Sequence, residues 1–411
     1  MTEANAGGLL RRERSQSPEA LLLSIADALP ERVEPRCRHF GQCGGCQLQQ
    51  LPSADQLRAK QQMLVALLQS TGLPQVPPIQ THAAEPWQYR NRVRLRVQGA
   101  EIGYNRRSTN EFLPITECPI LSPLLWRAAR TLQQNAESGE ARWPLGTDAI
   151  ELLTNADETA LQLSIGVDAT VATVNRDAPR DLRLLAEALQ ADVPELAGAG
   201  LSVAATPDPK ASRRIRESAR VEIARWGAPT LPHNVSGNTY QVTRGAFFQV
   251  NRYLTGTMQH LVTGGRSGAL AYDLYAGAGL FSVPLTQSFR TVIAVEIGEP
   301  AATDLQRHLV TFGPQHRAIR STAADFLRKP RAGPAPDLIV LDPPRAGLGA
   351  ETAKLLAAQG AREIVYVSCD AETFALDART LVHCGYTLAA LHLLDLFPQT
   401  FHTETVAVFR L

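Results

Sequence analysis

The chain has no long uninterrupted apolar run and no marked excess of either charge. The apolar stretch LAYDLYAGAGLFSVPL is broken by Asp273, and no run reaches the ~18 residues that a membrane helix needs. The segment MTEANAGGLLRRERSQSPEA carries charges where a signal peptide needs an apolar core, so we expect a cytoplasmic protein. A net charge of +1 gives no overall attraction to nucleic acid, so any such surface must come from local clusters.

The composition is that of a soluble globular protein with more than one domain. Hydrophobic residues make up 44% of the chain and charged residues 20%. Its 411 residues exceed the ~100–200 of an ordinary domain, so two or three domains are expected. We predict a loosely ordered segment at 1–30, in which a short helix around Pro18–Leu29 would fit. A central domain is predicted from 31–48 with 83–230, and an α/β domain from 49–82 with 231–411.

Two hydrophobic patterns divide the chain. From Trp87 to about Glu222, runs such as VRLRV and LQLSIGV alternate or are bounded by turns, which indicates a mostly β domain with one or two helices. After Asn251, the apolar runs ALAYDLY, TVIAVEI, DLIVLD and EIVYVSC alternate with helix-like segments such as Glu351–Gln359, and TVAVFRL reads as a last strand. This second pattern predicts a parallel sheet that is covered by helices on both faces.

Chemically useful residues follow the ends of these predicted strands, which is where open α/β sheets bind ligands. Gly277 and Gly279 follow the first strand and would let the backbone approach a ligand closely. Glu296 ends the second strand and can accept hydrogen bonds from ribose hydroxyls. Asp325 stands where a third strand should end, and Asp342 ends the fourth. The pattern favours a nucleoside-type ligand at this edge of the sheet.

The glycine pattern is incomplete for a dinucleotide. Ser282 occupies the place of the third glycine, so a nucleoside fits better than a dinucleotide pyrophosphate. S-adenosylmethionine and a nicotinamide cofactor are both compatible with the strand ends. The rigid loop that begins Asp342-Pro343-Pro344 favours the first, because it suits a flat base held near a methyl donor. The fifth strand ends in VSCD, which contains Cys369.

Four of the six cysteines form a candidate metal site. They are Cys37, Cys43, Cys46 and Cys118. In a reducing compartment, cysteines serve metal binding or catalysis more often than disulfides. Four thiolates can hold zinc or an iron–sulfur cluster, but the paired C-x2-C knuckles of zinc ribbons and the C-x3-C-x2-C triad of radical enzymes are absent from the sequence. His39 is expected to be a bystander in this loop, and Cys384 to be structural.

An arginine-rich segment provides the local charge that the whole chain lacks. Gln88–Ser108 contains six arginines and a single acid, Glu101. Alternation along a strand would place four of these arginines on one face. They are Arg90, Arg92, Arg94 and Arg96. We expect this face to bind phosphates, with a solvated strand face as the alternative.

Five ordered segments, FFQVN, DLYAGAG, LDPPRAG, VSCD and FPQTFHTE, resemble those of RNA uracil-5-methyltransferases, and the likeness extends from Cys37 onward. The resemblance implies that Cys369 is a nucleophile and Glu404 a general base, with His402 and Asp395 as competitors for the second role. It also implies a site for S-adenosylmethionine. The residues that would line this site are Gln249, Tyr275, Glu296, Asp325 and Asp342.

The resemblance further implies a Rossmann-like methyltransferase domain and a [4Fe-4S] cluster on the four cysteines, with zinc as the alternative. A thiolate would add to carbon 6 of uracil, carbon 5 would take the methyl group, and a base would remove its proton. RNA is the expected partner of a monomeric enzyme, 23S ribosomal RNA first and transfer RNA second. Cytosine-5 methyltransferases usually have Pro before the nucleophile, whereas Cys369 follows Ser368. A non-catalytic iron–sulfur RNA-binding protein stays a distinct alternative.

Two features depart from the family pattern. Many relatives carry a small N-terminal β-barrel RNA-binding domain, for which the segment before Cys37 is too short. We therefore expect the Cys-rich and central domains to recognise the substrate. Leu280 stands where many members have a polar Asn near the methyl donor.

Overall fold

The structure is a computed structural model that describes residues 17–73, 75–168, 170, 177–204, 220–330 and 333–411. Most of the predicted loosely ordered segment, residues 1–16, lies outside the described residues. Its remainder contains helix α1 (Pro18–Ala28), which confirms the predicted short helix. The hydroxyl of Ser17 accepts the N–H of Ala20 at 3.3 Å and so caps the helix. Leu22 is fully buried, so this part of the segment is ordered.

A seven-stranded sheet forms the central region, in the order β4-β3-β2-β5-β6-β7-β8. The strands are β2 (Arg92–Gln98), β3 (Glu101–Asn105), β4 (Phe112–Pro114), β5 (Thr147–Thr154), β6 (Leu161–Val167), β7 (Leu196–Ala204) and β8 (Arg220–Gly227). Only the β6–β7 pairing is parallel among those of this sheet. Helices α3 (Pro123–Ser138) and α4 (Ala178–Asp192) contact each other and the sheet. The predicted mostly β region with one or two helices is confirmed.

The second sheet has eight strands in the order β1-β16-β17-β15-β14-β11-β12-β13. They are β1 (Ile79–His82), β11 (Gly268–Leu274), β12 (Phe289–Glu296), β13 (Arg317–Arg320), β14 (Leu338–Leu341), β15 (Glu363–Ser368), β16 (Thr387–Leu394) and β17 (Glu404–Arg410). Strand β17 runs antiparallel to both neighbours, β15 and β16, and the other pairings are parallel. The predicted parallel sheet is thus present, with one antiparallel strand inside it.

Helices and a hairpin surround this second sheet. They are α2 (Ser53–Ser70), α5 (Thr255–Thr263), α6 (Ser282–Leu285), α7 (Ala301–Leu309), α8 (Ala323–Arg328), α9 (Gly349–Ala357), α10 (Ala371–His383), a 3-10 turn at Val310–Phe312, and the hairpin β9 (Thr230–Val235) with β10 (Asn238–Thr243). None of the helices formed by the described residues has the length and apolar character that crossing a bilayer requires.

Both faces of the eight-stranded sheet are buried, which explains why its strands are continuously apolar. In β15, Tyr366 belongs to a core that also contains Leu22 of α1 and Met63 of α2. Its neighbour Val367 points to the opposite core, which includes Met258 of α5. Helices α1 and α2, from the start of the chain, therefore pack against the sheet that the end of the chain builds.

One predicted strand end is wrong. Strand β13 ends at Arg320, whereas Asp325 lies in the first turn of helix α8. The hydroxyl of Thr322 accepts the N–H of Asp325 at 3.0 Å, which caps this helix. The side chain of Asp325 is 61% exposed and pairs with Arg328 at 2.9 Å. A capping motif, rather than a strand end, therefore accounts for the position of this acid.

Candidate active site

Strand β17 brings Glu404 to the end of β15. The two strands are antiparallel, and their register pairs Ser368 with Thr405. Cys369 follows Ser368 and Glu404 precedes Thr405, so both residues come to the same end of this pair of strands, where the charge of Glu404 acts on Cys369. Because β15 is parallel to its other neighbour, both residues lie at the edge of the sheet where the parallel strands end. The proximity of the two residues depends on the antiparallel return of the last strand.

Cys369, Glu404 and Asp342 form an acidic group in which Cys369 and Asp342 are half-buried. Glu404 is 3% exposed. Burial, together with the charges of Glu404 and Asp342, raises the pKa of the Cys369 thiol to about 12. Burial and the charge of Asp342 also hold the pKa of Glu404 well above its usual range. These shifts favour the protonated thiol and carboxyl groups, whereas the chemistry expected from the sequence requires a thiolate.

Arg345 is the cation that opposes this effect. Its guanidinium group lowers the pKa of Cys369 through its charge and a hydrogen bond, and its charge also lowers the pKa of Glu404. Its backbone oxygen accepts the hydroxyl of Thr373 at 3.0 Å, which ties the proline loop to helix α10. The sequence reasoning quoted Arg345 within LDPPRAG without giving it a role. A cation next to the acid of a rigid loop was the signal that it missed.

The two competing candidates for the base have other partners. The Oδ1 atom of Asp395 accepts a hydrogen bond from the Nζ atom of Lys60 at 2.7 Å, within a buried ion pair. His402 lies against Arg345, with 3.2 Å between Nε2 and Nη2. Burial, with the charges of Arg345, Lys60 and Arg90, lowers the pKa of His402 to about 3. His402 is therefore a neutral and weak base in this setting.

The glycine loop after β11 has the close backbone turn that its sequence predicts. Gly277 and Gly279 have φ angles of 55° and 95°, and Tyr275 also has a positive φ of 59°. A positive φ is unusual for an aromatic residue and marks a constrained backbone. Glu296 faces this loop, and its Oε2 atom accepts the N–H of Gly277 at 2.9 Å. The loop and the acid at the end of β12 therefore meet, as the sequence indicates.

Two aspartates, the buried Asp273 and the half-buried Asp342, stand behind this loop. Asp273 is fully buried and accepts a hydrogen bond from the hydroxyl of Ser282. Burial raises the pKa of Asp273 to about 7. Burial and the charge of Asp273 also raise the pKa of Asp342, whose Oδ2 atom lies 3.4 Å from Nε2 of Gln249. Asp273 lies within DLYAGAG, but sequence reasoning assigned it no role in the site.

Leu280, the departure from the family pattern, belongs to the core. Its side chain is 7% exposed. Its backbone oxygen accepts hydrogen bonds from the hydroxyl of Tyr240 at 3.1 Å and from Nε2 of Gln259 at 2.9 Å. An apolar side chain is therefore compatible with the position at this end of the glycine loop.

The predicted ligand cysteines are neighbours but do not form a complete site. Burial raises the pKa of Cys118 to about 12, with added effects of Cys46 and Cys37. Burial likewise raises the pKa of Cys46 to about 11, with Cys43 contributing. Within the described ranges, no three or more His, Cys, Asp or Glu side chains are grouped closely enough to hold a metal ion. His39 instead accepts the N–H of Thr116 at 3.0 Å.

Three of the four arginines of the predicted row lie on one face of β2, opposite the buried Val93 and Leu95, whereas Arg90 precedes the strand and bridges to Leu121 and Asn251. Arg92 pairs with Glu151 at 2.8 Å, so its charge is partly neutralised. Arg94 and Arg96 are exposed. This face therefore offers fewer charges to a phosphate than the sequence alone indicates.

The architecture matches a solved methyltransferase. The chain is similar to the tRNA (uracil-54, C5)-methyltransferase of Pyrococcus abyssi in complex with S-adenosyl-L-homocysteine, with a TM-score of 0.69 and 22% identity over 90% of this chain and 86% of that chain. This likeness concerns the fold. It confirms the predicted α/β class, with a glycine loop and an acid at the end of β12 where such sheets bind ligands.

Sequence comparisons identify the family. The family model described as tRNA (Uracil-5-)-methyltransferase matches residues 335–410. The 23S rRNA (uracil(1939)-C(5))-methyltransferase RlmD of Alkalilimnicola ehrlichii is 32% identical over 97% of this chain and 87% of its own length. The protein of that name from Aromatoleum aromaticum is 30% identical over 97% and 90%. The chain belongs to the RNA uracil-5-methyltransferase family, and it is an S-adenosylmethionine-dependent enzyme that acts on RNA.

Proposed function

We propose that the enzyme methylates carbon 5 of a uridine in 23S ribosomal RNA through a covalent bond between Cys369 and carbon 6 of the base. The observation that carries this proposal is the antiparallel pairing of Ser368 with Thr405, which brings their neighbours Cys369 and Glu404 to the same end of the two strands. The names of the two relatives that are 32% and 30% identical support the ribosomal substrate. Transfer RNA is the second candidate, because the matching family model and the P. abyssi neighbour bear that name.

In the proposed mechanism, the Cys369 thiolate adds to carbon 6, and the electron pair of the ring double bond moves towards carbon 5 and oxygen 4. S-adenosylmethionine supplies a methyl group on a positively charged sulfur. Carbon 5 takes this methyl group. The Glu404 carboxylate then removes the proton from carbon 5, the double bond forms again, and the thiolate leaves. Arg345 stabilises the sulfur anion at the first and last steps.

The donor site is proposed at the glycine loop. Its residues would be Gln249, Tyr275, Gly277, Gly279, Glu296 and Asp342. A sulfonium cation fits this place because its positive charge would stabilise the ionised carboxylates of Asp273 and Asp342, whose pKa values are raised. Glu296 would exchange part of its contact with Gly277 for ribose hydroxyls. Asp325 stays a prediction, with its carboxylate on exposed helix α8.

We infer a [4Fe-4S] cluster on Cys37, Cys43, Cys46 and Cys118, with zinc as the alternative. Four thiols are a donor set that either metal accepts, and the pKa of Cys37, Cys46 and Cys118 is raised in part by another of these cysteines. The described residues do not group the thiols closely enough for a bound metal, so the loop would have to close around it. The cluster would order the loop rather than take part in methyl transfer. Anaerobically purified protein should absorb near about 400 nm. Stoichiometric zinc in elemental analysis would contradict this assignment.

The proposed enzyme is a cytoplasmic monomer with two working parts. The central domain, 31–48 with 83–230, would bind RNA through the cluster loop and the exposed Arg94 and Arg96. The catalytic domain, 49–82 with 231–411, would hold the donor and the target base. A paired uridine must leave the base stack to reach Cys369, so a loop or a flipped nucleotide is the expected target.

Mapping of 5-methyluridine in a deletion strain tests the substrate. We expect one 23S ribosomal uridine to lose its methyl group and to regain it when the wild-type gene is restored. Cys369→Ala should fail to restore it, while Cys384→Ala, at an exposed cysteine, should succeed. Loss in transfer RNA alone would move the substrate to the second candidate. Unchanged methylation of both RNA classes would contradict the proposal.

A further inference from the structure

The loop between β16 and β17, residues 395–403, connects two residues that pair with each other, Leu394 and Glu404. We call this segment the base loop because Glu404 follows it directly. Loops usually lie on the surface and make few buried contacts. Here Asp395 is 4% exposed and Gln399 is fully buried. The base loop is therefore held from inside the protein.

Helix α2 supplies an ionic contact to the start of the base loop. Lys60 is fully buried, which is costly for a charged side chain unless it is paired. Its Nζ atom donates to Oδ1 of Asp395 at 2.7 Å and to the backbone oxygen of Phe397 at 2.9 Å. Lys60 thus fixes two points of the base loop at once.

The same helix contacts the middle of the base loop through an amide. The Nε2 atom of Gln56 donates to Oε1 of Gln399 at 2.9 Å, and the N–H of Gln399 donates to Oε1 of Gln56 at 2.9 Å. Gln399 has a φ of 70°, which non-glycine residues adopt only where their surroundings hold them. Gln56 is one of the groups that hold it.

The segment after the Cys-rich loop completes the support. The backbone oxygen of Gln399 accepts the N–H groups of Gln47 at 2.8 Å and Leu48 at 3.0 Å. The hydroxyl of Tyr89 donates to the oxygen of Pro398 at 3.1 Å. Gln47 is the residue after Cys46. Three parts of the chain that are distant in sequence therefore converge on the base loop.

We propose that Gln56 and Lys60 are positioning residues for Glu404, so that its carboxylate reaches the proton on carbon 5. This inference rests on the proposed role of Glu404 as the base. The base loop also holds His402 against Arg345, so its displacement would alter both sides of Cys369. A shift of roughly 1 Å in a reacting group can cost about a hundredfold in rate. Small changes in this support should therefore be visible in catalysis.

The position of the step in the reaction gives this role a signature. Proton removal follows the formation of the carbon–sulfur bond and the transfer of the methyl group. A displaced base therefore slows the release of a methylated RNA that is still bonded to Cys369. A general loss of stability would instead lower the formation and the release of this adduct together.

Gln56→Leu and Lys60→Met test the proposal, with Leu68→Ala as the matched control. Leu68 is a buried residue of the same helix, and its side chain cannot form hydrogen bonds with the base loop. With unmodified RNA and S-adenosylmethionine, both variants should lose roughly tenfold or more in kcat. They should also accumulate denaturation-resistant RNA–protein adduct, with an unchanged KM for the donor. Leu68→Ala should lower the thermal midpoint without accumulating adduct.

A double variant separates positioning from structure. If Gln56 acts through Glu404, adding Gln56→Leu to Glu404→Gln should lower kcat no further than Glu404→Gln alone. Independent, multiplicative losses would contradict the proposal. A wild-type kcat in Gln56→Leu would also contradict it. The same holds if Gln56→Leu lowers adduct formation and adduct release together, as a general loss of stability does. Gln56→Leu changes no charge and decides the matter if Lys60→Met does not fold.

Glu404→Gln distinguishes the failure of this inference from that of the proposed function. If Glu404→Gln itself turns over normally, the assignment of the base is wrong and the positioning role falls with it. If Glu404→Gln accumulates adduct but Gln56→Leu does not, the base stands and only the positioning role is overturned.

Discussion

At the scale of single residues, the site has more acidic groups than cations to balance them. Glu404 and Asp342 raise the pKa of Cys369, Asp342 also raises the pKa of Glu404, and Arg345 lowers the pKa of both Cys369 and Glu404. A thiol with a pKa of about 12 is a poor nucleophile at neutral pH. The proposed chemistry therefore needs the positive charge of the methyl donor near Asp342 before the thiolate forms. Donor binding and nucleophile activation are coupled in this account.

Alkylation of Cys369 by iodoacetamide measures this coupling. In the free enzyme, we expect its rate to rise roughly tenfold per pH unit from about pH 7 to 9, because the thiolate fraction grows by that factor below the pKa. S-adenosylmethionine should raise the rate at neutral pH more than the uncharged S-adenosylhomocysteine does. Mass spectrometry of the Cys369 peptide separates it from the other thiols. A rate that levels off by pH 8 without donor would contradict the high pKa.

Asp273→Asn tests the raised pKa of the buried Asp273. The folded-state pKa of Asp273 is raised to about 7, so folding favours its protonated form. Its contribution to stability is complete below the unfolded pKa of ~3.9 and is lost as pH rises to about 7. The variant should lose this share of the pH dependence, at most roughly 4 kcal/mol, while the amide can still accept the Ser282 hydroxyl. Urea unfolding at several pH values measures the free energy of unfolding of both proteins. The same pH dependence of this free energy in both proteins would contradict the shift.

At the scale of elements, apolar runs predicted strands well and local capping poorly. The runs that became β11, β12, β14 and β15 are buried on both faces, so their signal was continuous. The segment 317–324 before Asp325 was interpreted as the end of a strand. It contains Thr322, whose hydroxyl caps the helix that begins there. The β9–β10 hairpin was not predicted, although Ser236 and Gly237 supply the two positive φ angles of its turn.

Helix α10 depends on a cap next to the nucleophile. The Oδ1 atom of Asp370 accepts the N–H of Thr373 at 3.0 Å, which satisfies a free group of the first turn. Asp370→Ala should lower the free energy of unfolding by about 1 kcal/mol, and Asp370→Ser should retain most of it. Urea unfolding compares the three proteins. Equal stability of the alanine and serine variants would show that the cap contributes nothing.

At the scale of the whole molecule, helix α1 and strand β17, which are far apart in sequence, contribute to the same core. Lys60 and Asp395 are 335 residues apart in sequence, and their side chains meet at 2.7 Å. No periodicity or motif carries such a pairing, so the support of the base loop could not be predicted. The residues at the strand ends could, because the topology of a parallel sheet collects them at one edge. Cys369 and Glu404 belong to this predictable part, whereas Arg345, Gln56 and Lys60 do not.

The central claim is that Cys369 forms a covalent bond with the target base. RNA that contains 5-fluorouridine tests it most directly, because a base cannot remove fluorine from carbon 5 and the adduct persists. With S-adenosylmethionine, we expect a denaturation-resistant complex in wild type, Glu404→Gln and Cys384→Ala, and none in Cys369→Ala. Mass spectrometry should find a methylated fluorouridine on the Cys369 peptide. Absence of the complex, or its attachment to another residue, would contradict the account.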